Sequence, residues 1–273
     1  MNHSLTGTVY DLTGPAGAPV LVLIHGLGLT RSTWDNFVPV LAKEYRVLTY
    51  DLCGHGQSAA PIAKPSLTVL SEQLVHLMDE LGIDHGTIIG FSLGGMINRR
   101  FALDHPSRVA ALVILNSPHE RGAEAQRLVE ERAAQTGAGG PAANIDATLE
   151  RWFTPQFLTG SPEIVAQIRA AVLANDPESY AGYRQVLASG VTELIRPEPP
   201  VTAPTLVITC EHDSGSTPAM SHAIAAEIVR AECVIVPGLQ HLGLIERPEA
   251  FTTEILNFLV RGSSHIHMNG LKA

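Results

Sequence analysis

One ten-residue stretch does most to restrict what this chain can fold into. Gly86-Thr87-Ile88-Ile89-Gly90-Phe91 is a short apolar run, strand-like by its isoleucine pair. It continues through Ser92-Leu93-Gly94-Gly95 into a helix-like segment from Met96 to His105. Gly-x-Ser-x-Gly between a strand and a helix is the sequence form of a nucleophile elbow. A serine hydroxyl is a weak nucleophile and must stand clear of the backbone, facing a general base. A sharp strand-to-helix turn supplies that exposure but forces strained dihedrals and close backbone approach. Gly90 and Gly94 have no Cβ to clash there, and Gly95 lets the helix sit close to its neighbours. The helix N-terminus behind Ser92 offers free N–H groups to a developing oxyanion.

The partners of such a serine follow in the chain. Val20–Ile24 is a continuous apolar run, as expected of a buried parallel strand, and His25-Gly26-Leu27-Gly28 follows it. A loop there is positioned to supply an oxyanion donor, the N–H of Leu27, paired with the N–H of Leu93. His25 reads as a residue that pins this loop. Pro204–Cys210 is another buried run, followed by Glu211-His212-Asp213. Val234-Ile235-Val236 precedes Pro237-Gly238-Leu239-Gln240-His241. Each places its polar residues on a loop after a strand. Asp213 is the expected acid, with Glu211 and Glu246 as rivals. His241 is the expected base, preferred over His55, His212 and the tail residues His265 and His267. The order Ser92, Asp213, His241 is one of the known chain orders of a serine, acid and histidine triad.

The 273-residue chain admits one large domain, or one domain with a sizeable insertion. A net charge of −9 argues against nucleic acid as a partner and leaves recognition of an anionic substrate to local arginines. Three cysteines without a C-x-x-C pair fit reduced thiols, not a disulfide framework or a zinc site. No basic segment followed by an apolar one opens the chain, and no apolar run approaches membrane-spanning length. A cytoplasmic location, no membrane partner and no cofactor or metal are therefore expected. Oligomeric state is left open.

Strand-like and helical segments alternate over residues 20 to 116, which implies a mostly parallel sheet flanked by helices. Strands are predicted at Val20–Ile24, Arg46–Tyr50, Thr87–Phe91 and Val109–Asn116. Helices are predicted at Ser32–Glu44, Ser66–Leu81 and Gly94–His105, and Thr6–Leu12 is expected as an antiparallel edge. From Pro118 to Pro200 strand-like runs vanish. Ser161-Pro162 and Asp176-Pro177 mark helix starts, and 137–141 is a break. The expected organisation is a first core part at 1–117, a helical cap at 118–200, a second core part at 201–262 and a flexible tail at 263–273.

With these motifs, together with Asp51-x-x-Gly54-His55-Gly56-x-Ser58, the chain resembles the α/β-hydrolase fold superfamily up to about Val260. Within it, Leu149-Glu150-Arg151-Trp152-Phe153-Thr154-Pro155-Gln156-Phe157 and Asn175-Asp176-Pro177-Glu178-Ser179-Tyr180 are similar to the cap of 3-oxoadipate enol-lactonases. Two features depart from those enzymes. Cys53 stands where they commonly carry arginine, and Asn116-Ser117-Pro118-His119-Glu120-Arg121 replaces a glycine-containing turn. The resemblance implies a cofactor-free hydrolase of a small ester or lactone, of a kind that serves aromatic catabolism, working through an acyl-enzyme. The same triad also serves carbon–carbon bond hydrolases of vinylogous diketones, plain carboxylesterases and perhydrolase-like relatives. A ligand receptor built on the fold is the non-enzymatic alternative. Trp34, Arg121, Arg151 and Trp152 are the candidate substrate contacts, with Arg184 a further arginine able to meet a carboxylate.

Overall fold

The computed structural model describes residues 1–61 and 63–269, without the side chains of 135–138 and 262–269. Eight strands form one sheet: β1 (Asn2–His3), β2 (Val9–Thr13), β3 (Val20–Ile24), β4 (Arg46–Tyr50), β5 (Gly86–Phe91), β6 (Val109–Leu115), β7 (Thr205–Cys210) and β8 (Ala231–Val236). Their order across the sheet is β1-β2-β4-β3-β5-β6-β7-β8. At one edge β2 pairs antiparallel with both β1 and β4, and every other pairing is parallel. The strands predicted at Val20–Ile24, Arg46–Tyr50, Thr87–Phe91 and Val109–Asn116 recur within a residue of their expected bounds, because an apolar run buried on both faces has little freedom in where it ends. The edge expected at Thr6–Leu12 and the strand read at Val234–Val236 instead start three residues later and earlier, respectively.

Helices α1 (Val38–Leu41), α2 (Leu67–Glu80) and α3 (Leu93–Asp104) connect the first strands. The expected helix over Ser32–Glu44 is a correction: the chain makes a 3₁₀ turn at Arg31–Trp34 and restarts as the short α1. Pro39 explains the break. It has no N–H for the Asp35 carbonyl, and its ring would crowd that carbonyl, so it is tolerated only in the first turn of a new helix. By contrast α2 follows its prediction, with Ser66 Oγ accepting from Val69 N at 3.1 Å and Leu67, Leu70, Leu74, Leu77 and Met78 buried along one stripe.

Between β6 and β7 the chain makes α4 (Ala123–Thr136), α5 (Ile145–Trp152), α6 (Pro155–Gly160), α7 (Pro162–Leu173) and α8 (Pro177–Ser189). Three of these begin with proline, and Thr154 and Asp176 cap theirs by accepting from Phe157 N and Ser179 N. The predicted break at 137–141 lies in a 3₁₀ segment, Gly137–Asn144, interrupted at Gly140. After β7 come α9 (Pro218–Ala226), α10 (Gly243–Glu246) and α11 (Pro248–Asn269). The backbone of 263–269 thus continues α11, where a polar tail was expected; 270–273 lie outside the described residues, as do the side chains of His265 and His267.

The sheet's centre meets α3 at very close range. A Cβ on Gly90 would lie 2.1 Å from the Gly94 carbonyl oxygen, and one on Gly94 would lie 2.3 Å from that of Ile24. Backbone cannot yield to such contacts. Gly94→Ala is therefore expected to cost more than about 3 kcal/mol or to prevent folding. Gly160→Ala, where a Cβ meets nothing within 4 Å, is the control and should be nearly neutral. Similar denaturation midpoints for the two variants would refute the packing account.

Candidate active site

The site lies at the C-terminal ends of the parallel strands, where the loops after β3, β5, β6, β7 and β8 converge. Ser92 follows β5 directly and takes φ 54° and ψ −112°, a left-handed conformation rare for a residue with a side chain. Its backbone is held from several sides. Ser92 N donates to Leu115 O at 2.8 Å, while Ser92 O accepts from Gly95 N and from the Ser117 hydroxyl, both at 3.0 Å.

His241 brings the three expected residues together. Ser92 Oγ lies 3.1 Å from His241 Nε2, and His241 Nδ1 lies 2.7 Å from Asp213 Oδ2. The geometry fits an imidazole that donates from Nδ1 to the carboxylate and presents Nε2 as an acceptor to the serine. Asp213 is fully committed. Its Oδ1 accepts from Gly215 N and Ser216 N, each at 2.9 Å, and its Oδ2 also accepts from Asn116 Nδ2 at 2.9 Å. Burial alone would raise the Asp213 carboxyl, but the facing imidazole and these donors outweigh it and hold its pKa below the usual 3.8. The rival acids are engaged elsewhere: Glu211 accepts from Gly238 N, and Glu246 from Thr154 N and Oγ1.

Asn116 was not foreseen from the sequence. It sits at the end of β6 with φ 46°, a conformation asparagine tolerates better than most residues. A search for carboxylates at strand ends passes over an amide. Its position after an apolar run, at the same level as Ser92 and Asp213, was the available signal.

The Leu27 and Leu93 N–H groups have no hydrogen-bond acceptor among the described residues, and Leu93 is the first residue of α3. The loop carrying Leu27 is braced from both ends. His25 Nδ1 bonds Gly26 O at 2.8 Å, and His25 Nε2 accepts from Leu52 N at 2.9 Å. Beyond the loop, Arg31 pairs with the buried Asp51 carboxylate at 2.6 Å. Burial pulls the His25 pKa down to about 4 and that of its neighbour His55 to about 3. A depressed histidine pKa means that the unfolded chain takes up protons first. Stability should thus be complete above about pH 6.5 and fall from there toward pH 4, with a slope approaching 1.4 kcal/mol per pH unit for each histidine. His25→Asn should flatten that slope. Equal pH dependence of the melting temperature in both proteins would count against it.

A cavity of about 650 Å³ opens over Ser92 and His241, between the sheet and the helical insertion. Trp152, Arg121, Arg151 and Arg184 all line it. The Trp152 ring lies 6.1 Å from the His241 ring. Trp34 is a correction: it is completely buried, edge-on to Phe37 at 5.2 Å, and does not reach the cavity. It follows from the broken helix, whose 3₁₀ turn directs Trp34 into the core. Arg121 donates to Gln126 Oε1 at 3.1 Å. Arg151 has a large exposed area because it faces the open cavity. The atoms crowding its guanidinium still desolvate it, which together with repulsion from Arg184 lowers its pKa despite the attraction of Asp213 and Tyr180. Arg184 Nε is buried without a hydrogen-bond partner among the described residues. Two mutually repelling guanidiniums beside a buried tyrosine, Tyr180, make a corner suited to an anion.

The insertion is tied to the loop of the histidine. Leu242 N donates to Trp152 O at 2.8 Å, and Gln240 Nε2 to Glu150 O and Arg151 O at 3.1 and 3.2 Å. Cys53 Sγ lies 3.2 Å from the Tyr183 hydroxyl on α8. Among the described residues no cluster of side chains could hold a metal ion, and no helix is long and apolar enough to cross a membrane.

Comparison with known proteins agrees with this architecture. The family model for the alpha/beta hydrolase fold matches residues 19–139. 3-Oxoadipate enol-lactonase 2 of Acinetobacter baylyi is 30% identical over 244 residues, covering 89% of each chain. The crystal structure of the enol-lactonase from Burkholderia xenovorans LB400 superposes with a TM-score of 0.85 at 33% identity, covering 93% of this chain and 96% of that one. A malate-bound thermophilic esterase from Thermogutta terrifontis superposes with a TM-score of 0.82 at 27% identity, covering 93% of each. This chain belongs to the α/β-hydrolase fold family and is one of its hydrolases.

Proposed function

We propose that the protein hydrolyses a small carboxylic ester or lactone bearing a carboxylate, through an acyl-enzyme on Ser92. The observation that carries this reading is the hydrogen-bonded line Ser92 Oγ, His241, Asp213 at the floor of a cavity lined by arginines. His241 takes the serine proton through Nε2 as Oγ attacks the carbonyl carbon. Asp213 fixes the tautomer and stabilises the imidazolium. The N–H groups of Leu27 and Leu93 receive the oxyanion, each contributing about 3 kcal/mol to lowering the barrier. His241 then gives its proton to the leaving alkoxide. Water attacks the acyl-enzyme, His241 removing its proton, and the acid product leaves with Ser92 restored. The enol-lactonase relatives and the malate-bound esterase support a carboxylate-bearing substrate.

Arg151, with Arg184 beside it, is assigned to the substrate carboxylate, and Arg121 is the second choice. Arg151→Ala should raise KM for an anionic ester about ten- to a hundredfold, the worth of a charged hydrogen-bonded pair, and spare a neutral ester of the same size. The test is kcat/KM for matched anionic and neutral esters, lactones and a vinylogous diketone in the wild type and in each arginine variant. A wild-type preference for neutral esters that no cap arginine alters would leave a plain carboxylesterase. Cleavage of the diketone alone would establish the carbon–carbon hydrolase instead.

A further inference from the structure

Behind the elbow lies a buried polar cluster that the mechanism above does not use. Arg99, on α3 and 3% exposed, donates from Nε to Gly95 O at 3.0 Å and from Nη2 to Pro118 O at 2.7 Å and Ser117 Oγ at 3.1 Å. Its Nη1 lies 3.5 Å from His119 Nδ1, and His119 Nε2 lies 3.0 Å from Glu227 Oε1. The neutral tautomer with its proton on Nε2 satisfies both contacts, so the guanidinium is linked to its counter-charge through the imidazole. Ser117 Oγ accepts from Arg99 and donates onward to Ser92 O at 3.0 Å.

The Ser92 carbonyl and the Leu93 N–H belong to the same peptide unit. A donor on the carbonyl oxygen withdraws electron density from the amide and makes its N–H a stronger donor. It also fixes the plane of that amide. Fixing matters here, because Ser92 is held at φ 54°, and a residue in that region relaxes unless its surroundings over-determine it. Ser117 reaches the carbonyl from outside the helix, on the loop after β6, and Arg99 fastens that loop through Pro118 O.

On the reading of Ser92 as nucleophile, we propose that Ser117 and Arg99 are positioning residues for the oxyanion site. They hold and polarise the Ser92–Leu93 peptide so that the Leu93 N–H meets the tetrahedral intermediate. A contribution of this kind is realised in the transition state and not in substrate binding, so it separates kcat from KM.

The experiment compares wild type, Ser117→Ala, Arg99→Met and Arg99→Lys, with p-nitrophenyl acetate as substrate and phenylboronic acid as a tetrahedral-adduct inhibitor. Ser117→Ala should lower kcat about three- to tenfold, the range of one neutral hydrogen bond, with KM unchanged and boronate affinity reduced by the same factor. Arg99→Met should lose at least as much, and Arg99→Lys should recover most of it. Arg99→Met risks unfolding because it leaves buried carbonyls unpaired, so Ser117→Ala is the deciding variant. Unchanged boronate affinity in folded Ser117→Ala overturns the proposal, even if the melting temperature falls. Ser92→Ala separates the two readings. If it is inactive while Ser117→Ala matches wild type, only this inference fails; if it turns over normally, the nucleophile assignment fails first.

Discussion

Ser92→Ala is expected to lower kcat by about 10⁶, the loss seen when the nucleophile of a serine, histidine and acid triad is removed. The variant should still fold. Alanine keeps the Cβ, which the turn already accommodates, and the backbone bonds from Ser92 N to Leu115 O and from Gly95 N to Ser92 O involve no side-chain atom of residue 92. Only the hydroxyl's bond to His241 Nε2 is lost. The melting temperature should thus stay within about 4 °C of wild type, the shift that about 1 kcal/mol makes in a domain of this size. Residual activity should come from the oxyanion donors and from binding alone. Undiminished kcat in a folded variant would remove Ser92 from the chemistry.

Asp213→Asn is expected to lower kcat by about 10⁴ through a different cause. In the wild type the carboxylate has acceptor oxygens only, and one of them takes the His241 Nδ1 proton. An amide at 213 can donate to Nδ1. That tautomer places a proton on Nε2, opposite the serine hydroxyl, where an acceptor is required. The substitution also places two amides, those of residues 116 and 213, where Asn116 Nδ2 now meets a carboxylate oxygen. With the amide oxygen toward Asn116 and His241, the new NH₂ group faces the Gly215 and Ser216 N–H groups; turned the other way, it faces His241 and the Asn116 NH₂, so donors meet either way. The decisive measurement is kcat with thermal stability followed in parallel. A loss of less than about tenfold would mean that Asp213 does not select the tautomer, because that selection carries most of the effect.

The residues of this site differ in how far the sequence exposes them. Ser92, Asp213 and His241 each follow an apolar run that can only be a strand, so parallel-sheet topology carries all three to one end. Leu27 is placed by the same logic. The cavity wall is harder to read, because it is built by short helices whose relative arrangement depends on tertiary packing. Arg121, Arg151 and Trp152 reach the cavity, whereas Trp34 does not, since a single proline, Pro39, redirects the chain shortly after it. Asn116 and Ser117 escaped notice because their roles are relational. An amide matters here only as the partner of Asp213, and a hydroxyl only as the donor to a carbonyl one strand earlier in sequence.

The hydrogen bonds from Gln240 and Leu242 to the carbonyls of residues 150–152 bear on how such a protein can be re-engineered. They flank His241 on both sides. The insertion is therefore no detachable module that merely shapes specificity. A lid borrowed from another hydrolase would fill the same space, yet without carbonyls at these three points it would leave the general base on a slack loop. Grafts intended to alter substrate range should accordingly exchange α4, α7 and α8 and retain α5 with the strand-end loop it anchors.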